Sequence, residues 1–241
     1  MDPPPKEIVT EAYDQIADWY LTWVQSQHTP RERYAASLLA HLPPPPSSHS
    51  PPQILDLGCG PGVPITRLLL DRGAHVTAND ISPRQLALAR RHCPSAKFVE
   101  GDMASLDLPA ASFDGVVSFY TIFHLPRDEQ PAMFRRIYGW LREAGVLACN
   151  LATVDEDEIY GEFLGYGMFW SSFETQKSLD MLREVGFEVV QSEVLGAAEG
   201  DGTQEGQVLE EGDPDFGVEF LWVLARKTKR KETGLDGGEV F

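Results

Sequence analysis

The stretch "QILDLGCGPGVP", residues 53–64, sets Gly58, Gly60 and Gly62 directly after a short apolar run. A short apolar run that ends in glycines predicts a buried strand feeding a loop whose backbone can approach a ligand. In doubly wound folds this loop, between the first strand and its helix, holds nucleotides against free N–H groups. The spacing separates the nucleotide classes. A dinucleotide fingerprint, G-x-G-x-x-G, needs a glycine where Val63 stands, and the G-K-S/T of a P-loop is absent. Taken alone, the triplet also fits a tight turn with nothing bound.

Working outward, strands and helices alternate. "HVTAND" (75–80), "AKFVEGD" (96–102), "FDGVVSFY" (113–120) and "GVLACNLA" (145–152) read as strands. Between them, "PITRLLLDRG" reads as a helix stopped by Gly73. "SPRQLALARRH" reads as one capped by Ser82 with Pro83 at its first position, and "DEQPAMFRRIYGWLRE" as a third. Beyond these, "TQKSLDMLREVGF" predicts a helix, and "EVVQSEVLG" and "VEFLWVLARK" the final strands. Such alternation implies an α/β fold with a mostly parallel sheet covered on both faces.

The 241 residues suit one domain. We read 1–42 as an N-terminal helical cover and the proline-rich 43–52 as a connector. The core spans 53–226, with a lid at 153–173, a long Gly/Glu-rich loop at 197–215 and a flexible tail at 227–241.

A net charge of −17 argues against a nucleic-acid partner, since phosphate backbones are bound by cations. "DEDE" (155–158) reads as solvated surface. "RKTKRK" (226–231) reads as a solvated tail, with a localisation signal as the alternative. The three scattered cysteines suggest neither disulfides nor a CxxC metal site. With no signal-like N-terminus and no apolar run of membrane length, we expect a cytoplasmic protein that does not bind membranes. The histidines lack ligand-like spacing, so no metal is expected.

Two carboxylates complete the picture. Asp80 ends the second predicted strand, where an acid can accept both hydroxyls of a ribose. Asp102 follows the third, where it and the Met103 N–H can read an adenine edge. Either one could simply cap a turn. Glycine loop and acids at the carboxyl ends of three successive strands point instead to a nucleoside site.

"ILDLGCGPG", "VTANDIS", "VEGDM" and "FDGVVSFYTIFHLP" resemble the successive motifs of class I S-adenosylmethionine-dependent methyltransferases. The likeness runs from "AYDQIADWY" to "FLWVLARK", nearly the whole chain. It implies a Rossmann-like, doubly wound seven-stranded sheet with an antiparallel last strand, and S-adenosylmethionine as cofactor. It further implies that Asp56 and Gly58 hold the amino-acid end, that Gly60 and Gly62 let the backbone come close, and that Asp80 takes the ribose. Ile81 and Phe119 would line the site, with Ile81 on the adenine, while Asp102 and Met103 read its edge.

Methyl transfer from a sulfonium is a direct in-line displacement and needs alignment rather than a protein nucleophile. Aromatic faces suit the positive sulfur, and Tyr13 and Tyr20 of the N-terminal cover are candidates; hydrophobic packing is the other reading of both. His124, just past the fourth strand, either lines the site or serves as a base. The aromatic 153–173 segment should select a small-molecule acceptor, methylated on O or N. Three alternatives stay open: a protein methyltransferase, a cofactor-binding subunit without turnover, and a methyltransferase-like fold with non-methyl chemistry. The oligomeric state is not legible.

Overall fold

The computed structural model describes residues 3–26, 29–44, 50–196 and 217–228. Two helices open the chain, α1 (Pro5–Ser26) and α2 (Arg31–His41). On α1, Val9, Ala12, Ile16, Tyr20 and Val24 recur every three or four residues and are buried, so that stripe faces the protein. Then follow β1 (Gln53–Leu57), α3 (Ile65–Asp71), β2 (His75–Asp80), α4 (Pro83–His92), β3 (Lys97–Glu100) and β4 (Phe113–Ser118). The chain continues through α5 (Gln130–Trp140), β5 (Leu141–Ala152), β6 (Glu156–Phe163), β7 (Tyr166–Ser172), α6 (Thr175–Val185), β8 (Phe187–Gly196) and β9 (Glu219–Lys227).

Seven strands form one sheet in the order β3-β2-β1-β4-β5-β9-β8. β9 runs antiparallel to β5 and β8, while the pairings among β1 to β5 are parallel. The fold is therefore the expected one. Strand order reverses between β1 and β4, the crevice where sheets of this kind bind ligands outside their carboxyl ends. Side-chain alternation along the strands divides the core between the two faces. Leu55 and Val116 pack with Phe134, Ile137 and Leu182 on one face. Ile54 and Val117 pack with Tyr34, Leu38 and Leu69 on the other.

The local signals at α4 act as read. Ser82 Oγ accepts the Gln85 N–H at 3.1 Å, and Pro83 occupies the first helical turn. Two expectations change. Helix α5 stops at Trp140 and β5 begins at Leu141, earlier than the pattern suggested. The 153–173 segment, read from the sequence as a lid, holds a two-stranded antiparallel hairpin, β6–β7, with Phe163 opposite Tyr166. Its two-residue turn places Leu164 at φ 55° and Gly165 at φ 82°, the double left-handed conformation that tight hairpins require. Asn-Gly is the usual signal for that turn; Leu-Gly hides it. Val9 and Ala12 of α1 pack on Met168 and Phe169 of β7, so helix and hairpin form one layer above the sheet ends.

Residues 45–49 of the connector, the loop at 197–215 and the tail from 229 lie outside the described residues. Among the described residues, no helix is long and apolar enough to cross a membrane.

Candidate active site

The glycine loop after β1 turns back over the strand ends because each of its glycines has a positive φ: 67° at Gly58, 53° at Gly60 and 79° at Gly62. This conformation aims the Gly60 N–H at Asp80 Oδ2, 2.8 Å away, while Ser82 N–H donates to Oδ1 at 2.9 Å. A carboxylate offers about four lone-pair positions, so acceptor capacity remains on Asp80. Gly58, Gly60, Asp80, Ile81, Asp102, Met103 and Phe119 line one cavity at the carboxyl ends of β1 to β4. Tyr13 and Tyr20 of α1 cover it, and His124 completes its wall. Helix α1 is tied down on this side by Asp14, which accepts from Ser82 Oγ, and by the Asp18–Arg84 ion pair at 3.1 Å.

Asp56 and Gly62 stand apart from that lining. Asp56 is buried behind the loop, accepts Thr66 Oγ1 at 2.6 Å, and borders a smaller cavity with Gly58, Gly60 and Arg31. The missing side chain of Gly62 faces helix α4, where a Cβ would lie 3.2 Å from Ala89 and 3.1 Å from Cys93 Sγ. Its smallness serves helix–loop packing. The missing side chain of Gly58 faces Thr121, where a Cβ would lie 1.7 Å from Cγ2.

Burial dominates the electrostatics. It pushes Asp56 up to about 7, against the Thr66 hydrogen bond, and Asp80 up to about 6, against the N–H groups that favour its charged form. Lys6 of α1 reaches over the cavity edge to Asp102 at 2.7 Å and Glu129 at 2.5 Å. Desolvation lowers its pKa, but these two carboxylates outweigh that and raise it.

His124 sits in a short turn at Ile122–His124 and is buried. Its Nδ1 is 2.8 Å from the Phe169 carbonyl, which can only accept, so Nδ1 carries the proton. Burial lowers its pKa to about 4, against the Phe169 bond, so the ring is neutral and Nε2 is bare. The Tyr13 hydroxyl, 3.1 Å away, donates to it. One histidine thus links the end of the sheet, the hairpin and α1.

A second cavity opens on the other side of this pair. It shares Tyr13, Tyr20, Tyr120 and His124 with the first and is walled mainly by rings, among them Trp23, Phe123, Phe163, Trp170 and Phe220. Tyr120, at the junction, has φ 59°, and its N–H donates to Asn150 Oδ1 at 2.6 Å. A left-handed tyrosine is strained backbone of the kind that gathers at functional sites.

Lys6, Asn79, Tyr120 and Thr121 also line the first cavity, though sequence reasoning passed over them. Asn79 carried a signal, as a polar residue next to the strand-end acid. Its Nδ2 donates to the Val99 and Gly101 carbonyls at 3.0 and 2.8 Å and so fixes the turn that presents Asp102. Lys6 carried none, since its partners lie about a hundred residues away along the chain.

Comparison with known proteins agrees with this geometry. A family profile described as a methyltransferase domain matches residues 54–145. Malonyl-[acyl-carrier protein] O-methyltransferase of Enterobacter lignolyticus is 34% identical over 155 residues, covering 64% of this chain and 57% of that protein. The chain therefore spans little more than half the length of that curated relative. Among solved structures, 1,6-didemethyltoxoflavin-N1-methyltransferase of Burkholderia thailandensis superposes with a TM-score of 0.64 at 23% identity, covering 95% of this chain and 93% of that one. A [4+2]-cyclase shares the fold to the same degree, with a TM-score of 0.64 at 18% identity over 94% of this chain and 97% of its own.

Proposed function

We propose that the chain is a class I S-adenosylmethionine-dependent methyltransferase and that it methylates an oxygen or nitrogen atom of a small molecule; the methyltransferase-domain match and the methyltransferase relatives support this. One observation carries this reading: two cavities meet at Tyr13, Tyr20, Tyr120 and His124, one with nucleoside-binding chemistry and one walled by rings. A group-transfer enzyme needs donor and acceptor held face to face, and alignment alone can supply roughly 7–11 kcal/mol of the barrier.

The residues present fit S-adenosylmethionine. Asp80 has acceptor capacity for the ribose hydroxyls, and Ile81 and Met103 offer apolar surface for the adenine. Phe119 borders the same cavity. Asp102, fixed by the Ala104 N–H at 2.9 Å, is the acceptor for the adenine amino group. Asp56, beside Arg31 and the glycine loop, serves the charged amino-acid end. When bound, the cofactor supplies a methyl group on a positive sulfur that an in-line nucleophile displaces. Tyr13 and Tyr20 present ring surface where such a charge is favoured. The hairpin, α1 and the rings border the junction of the two cavities.

The test is calorimetric titration with S-adenosylmethionine, with NAD as a control and Asp80→Ala alongside. Micromolar binding of S-adenosylmethionine alone, weakened at least about tenfold in the variant, a loss of about 1.4 kcal/mol, supports the reading. Binding of NAD instead overturns it.

A further inference from the structure

The second cavity says what kind of acceptor it takes. Its walls are mostly aromatic, and the described residues that line it include no Lys or Arg. The one formally charged side chain among them is Glu219, at the exposed start of β9. Cations nearby are committed elsewhere. Arg31 stacks on Tyr120, 5.2 Å from the ring centroid, but lines the small cavity beside the glycine loop. Arg127 pairs with Asp155 and Asp157 and stacks on Phe173.

The chain as a whole carries −17, so its net charge has the same sign as Glu219. A carboxylate or phosphate entering this cavity would lose its water with no cation to replace it. A protonated amine gains twice: ring faces attract it, and the surrounding negative potential raises its local concentration.

We propose that the acceptor is a small aromatic molecule bearing a basic amine, and that the amine nitrogen is methylated. This rests on the methyltransferase reading above. In the balanced step the ammonium first gives one proton to solvent, freeing its lone pair. The nitrogen then bonds to the methyl carbon as the carbon–sulfur pair stays with sulfur. The product leaves as a methylammonium ion beside S-adenosylhomocysteine.

The test uses two probes of like shape and opposite charge, 2-phenylethylamine and 3-phenylpropionate. Each is titrated calorimetrically against the protein saturated with S-adenosylhomocysteine. The amine should bind at least about tenfold more tightly. That preference should shrink severalfold in Glu219→Gln, a surface change that leaves the core intact, and also in high salt. Equal or tighter binding of the carboxylate, or binding of neither probe, overturns the proposal. If S-adenosylhomocysteine itself fails to bind, the methyltransferase reading fails instead. The probes are then titrated alone, where the same amine preference still supports the cavity's specificity and its absence overturns it.

Discussion

The Tyr13 hydroxyl stands 3.1 Å from Nε2 of His124, and it donates, because the histidine proton is on Nδ1 and engaged by Phe169. Tyr13→Phe removes that donor and leaves a buried acceptor without it, at a cost of about 1–3 kcal/mol. His124→Phe removes the same bond from the other side. Because the two share one interaction, the double variant should lose less stability than the sum, with a coupling of about 1 kcal/mol in urea unfolding. Strict additivity would show that the bond contributes nothing.

Burial has set His124 and Asp56 against each other in their response to pH. The histidine's pKa falls in the fold, so its contribution is present above about pH 6.5 and lost as pH drops through about 4. The aspartate's pKa rises, so its contribution is present below about pH 3.8 and lost as pH climbs through about 7. Asp56→Asn keeps an oxygen for Thr66 and removes only the second effect. The variant should therefore be more stable than the parent at about pH 8 and nearly equal to it at about pH 4. Urea midpoints at the two pH values decide this, and a gap that does not vary with pH would sink it.

The same raised acids couple cofactor binding to protons. The α-ammonium of the amino-acid end, set beside Asp56, would favour its ionised form, so binding near pH 6 should release protons and affinity should rise as pH climbs through about 7. Calorimetry of S-adenosylmethionine in two buffers of different ionisation enthalpy reads the release directly. Identical heats in both buffers would count against Asp56 as the partner.

How far the sequence reaches depends on whether a signal is local. The loop at 58–62, the cap at Ser82 and the acid ending β2 are fixed by spacing within a few residues, and all were legible. What a glycine's missing side chain faces was not. Gly60 borders the cavity, Gly62 faces α4, and Gly58 faces Thr121, yet the three look alike in the chain. The β6–β7 hairpin hid behind its Leu-Gly turn. Lys6 on Asp102 and Tyr13 on His124 join residues about a hundred positions apart, and only the folded chain reveals them.

That difference among glycines predicts an order of damage. Gly60→Ala adds a Cβ 3.5 Å from Tyr20, an ordinary contact, so its cost is the left-handed backbone, about 1–2 kcal/mol. Gly58→Ala carries the same backbone cost and a Cβ 1.7 Å from Thr121 Cγ2, so it should cost at least about 2 kcal/mol more. Adding Thr121→Gly should recover much of the excess but leave the backbone cost. Thermal unfolding of the variants would refute this if Gly58→Ala proved the milder.

Lys6 ties the first turn of α1 to Asp102 and Glu129 at the cavity edge, so the helix that covers the site is latched at the carboxylate we propose for the adenine. A ligand entering beneath α1 must disturb that latch. The three side chains are partly exposed, with Lys6 at 26%, so the pairing contributes no more than about 1 kcal/mol. The consequence is kinetic. Lys6→Met keeps the apolar stem and removes the charge; it should speed both association and dissociation of S-adenosylmethionine in stopped-flow fluorescence. The equilibrium constant should change by less than about fivefold, because cover and competitor are lost together. Added salt should speed the parent protein in the same way and affect the variant less, since there screening reaches only the exposed Asp18–Arg84 pair. Equal rates in parent and variant would mean that α1 is held by its packing on the hairpin and by the Asp14 and Asp18 contacts to α4, without the Lys6 latch.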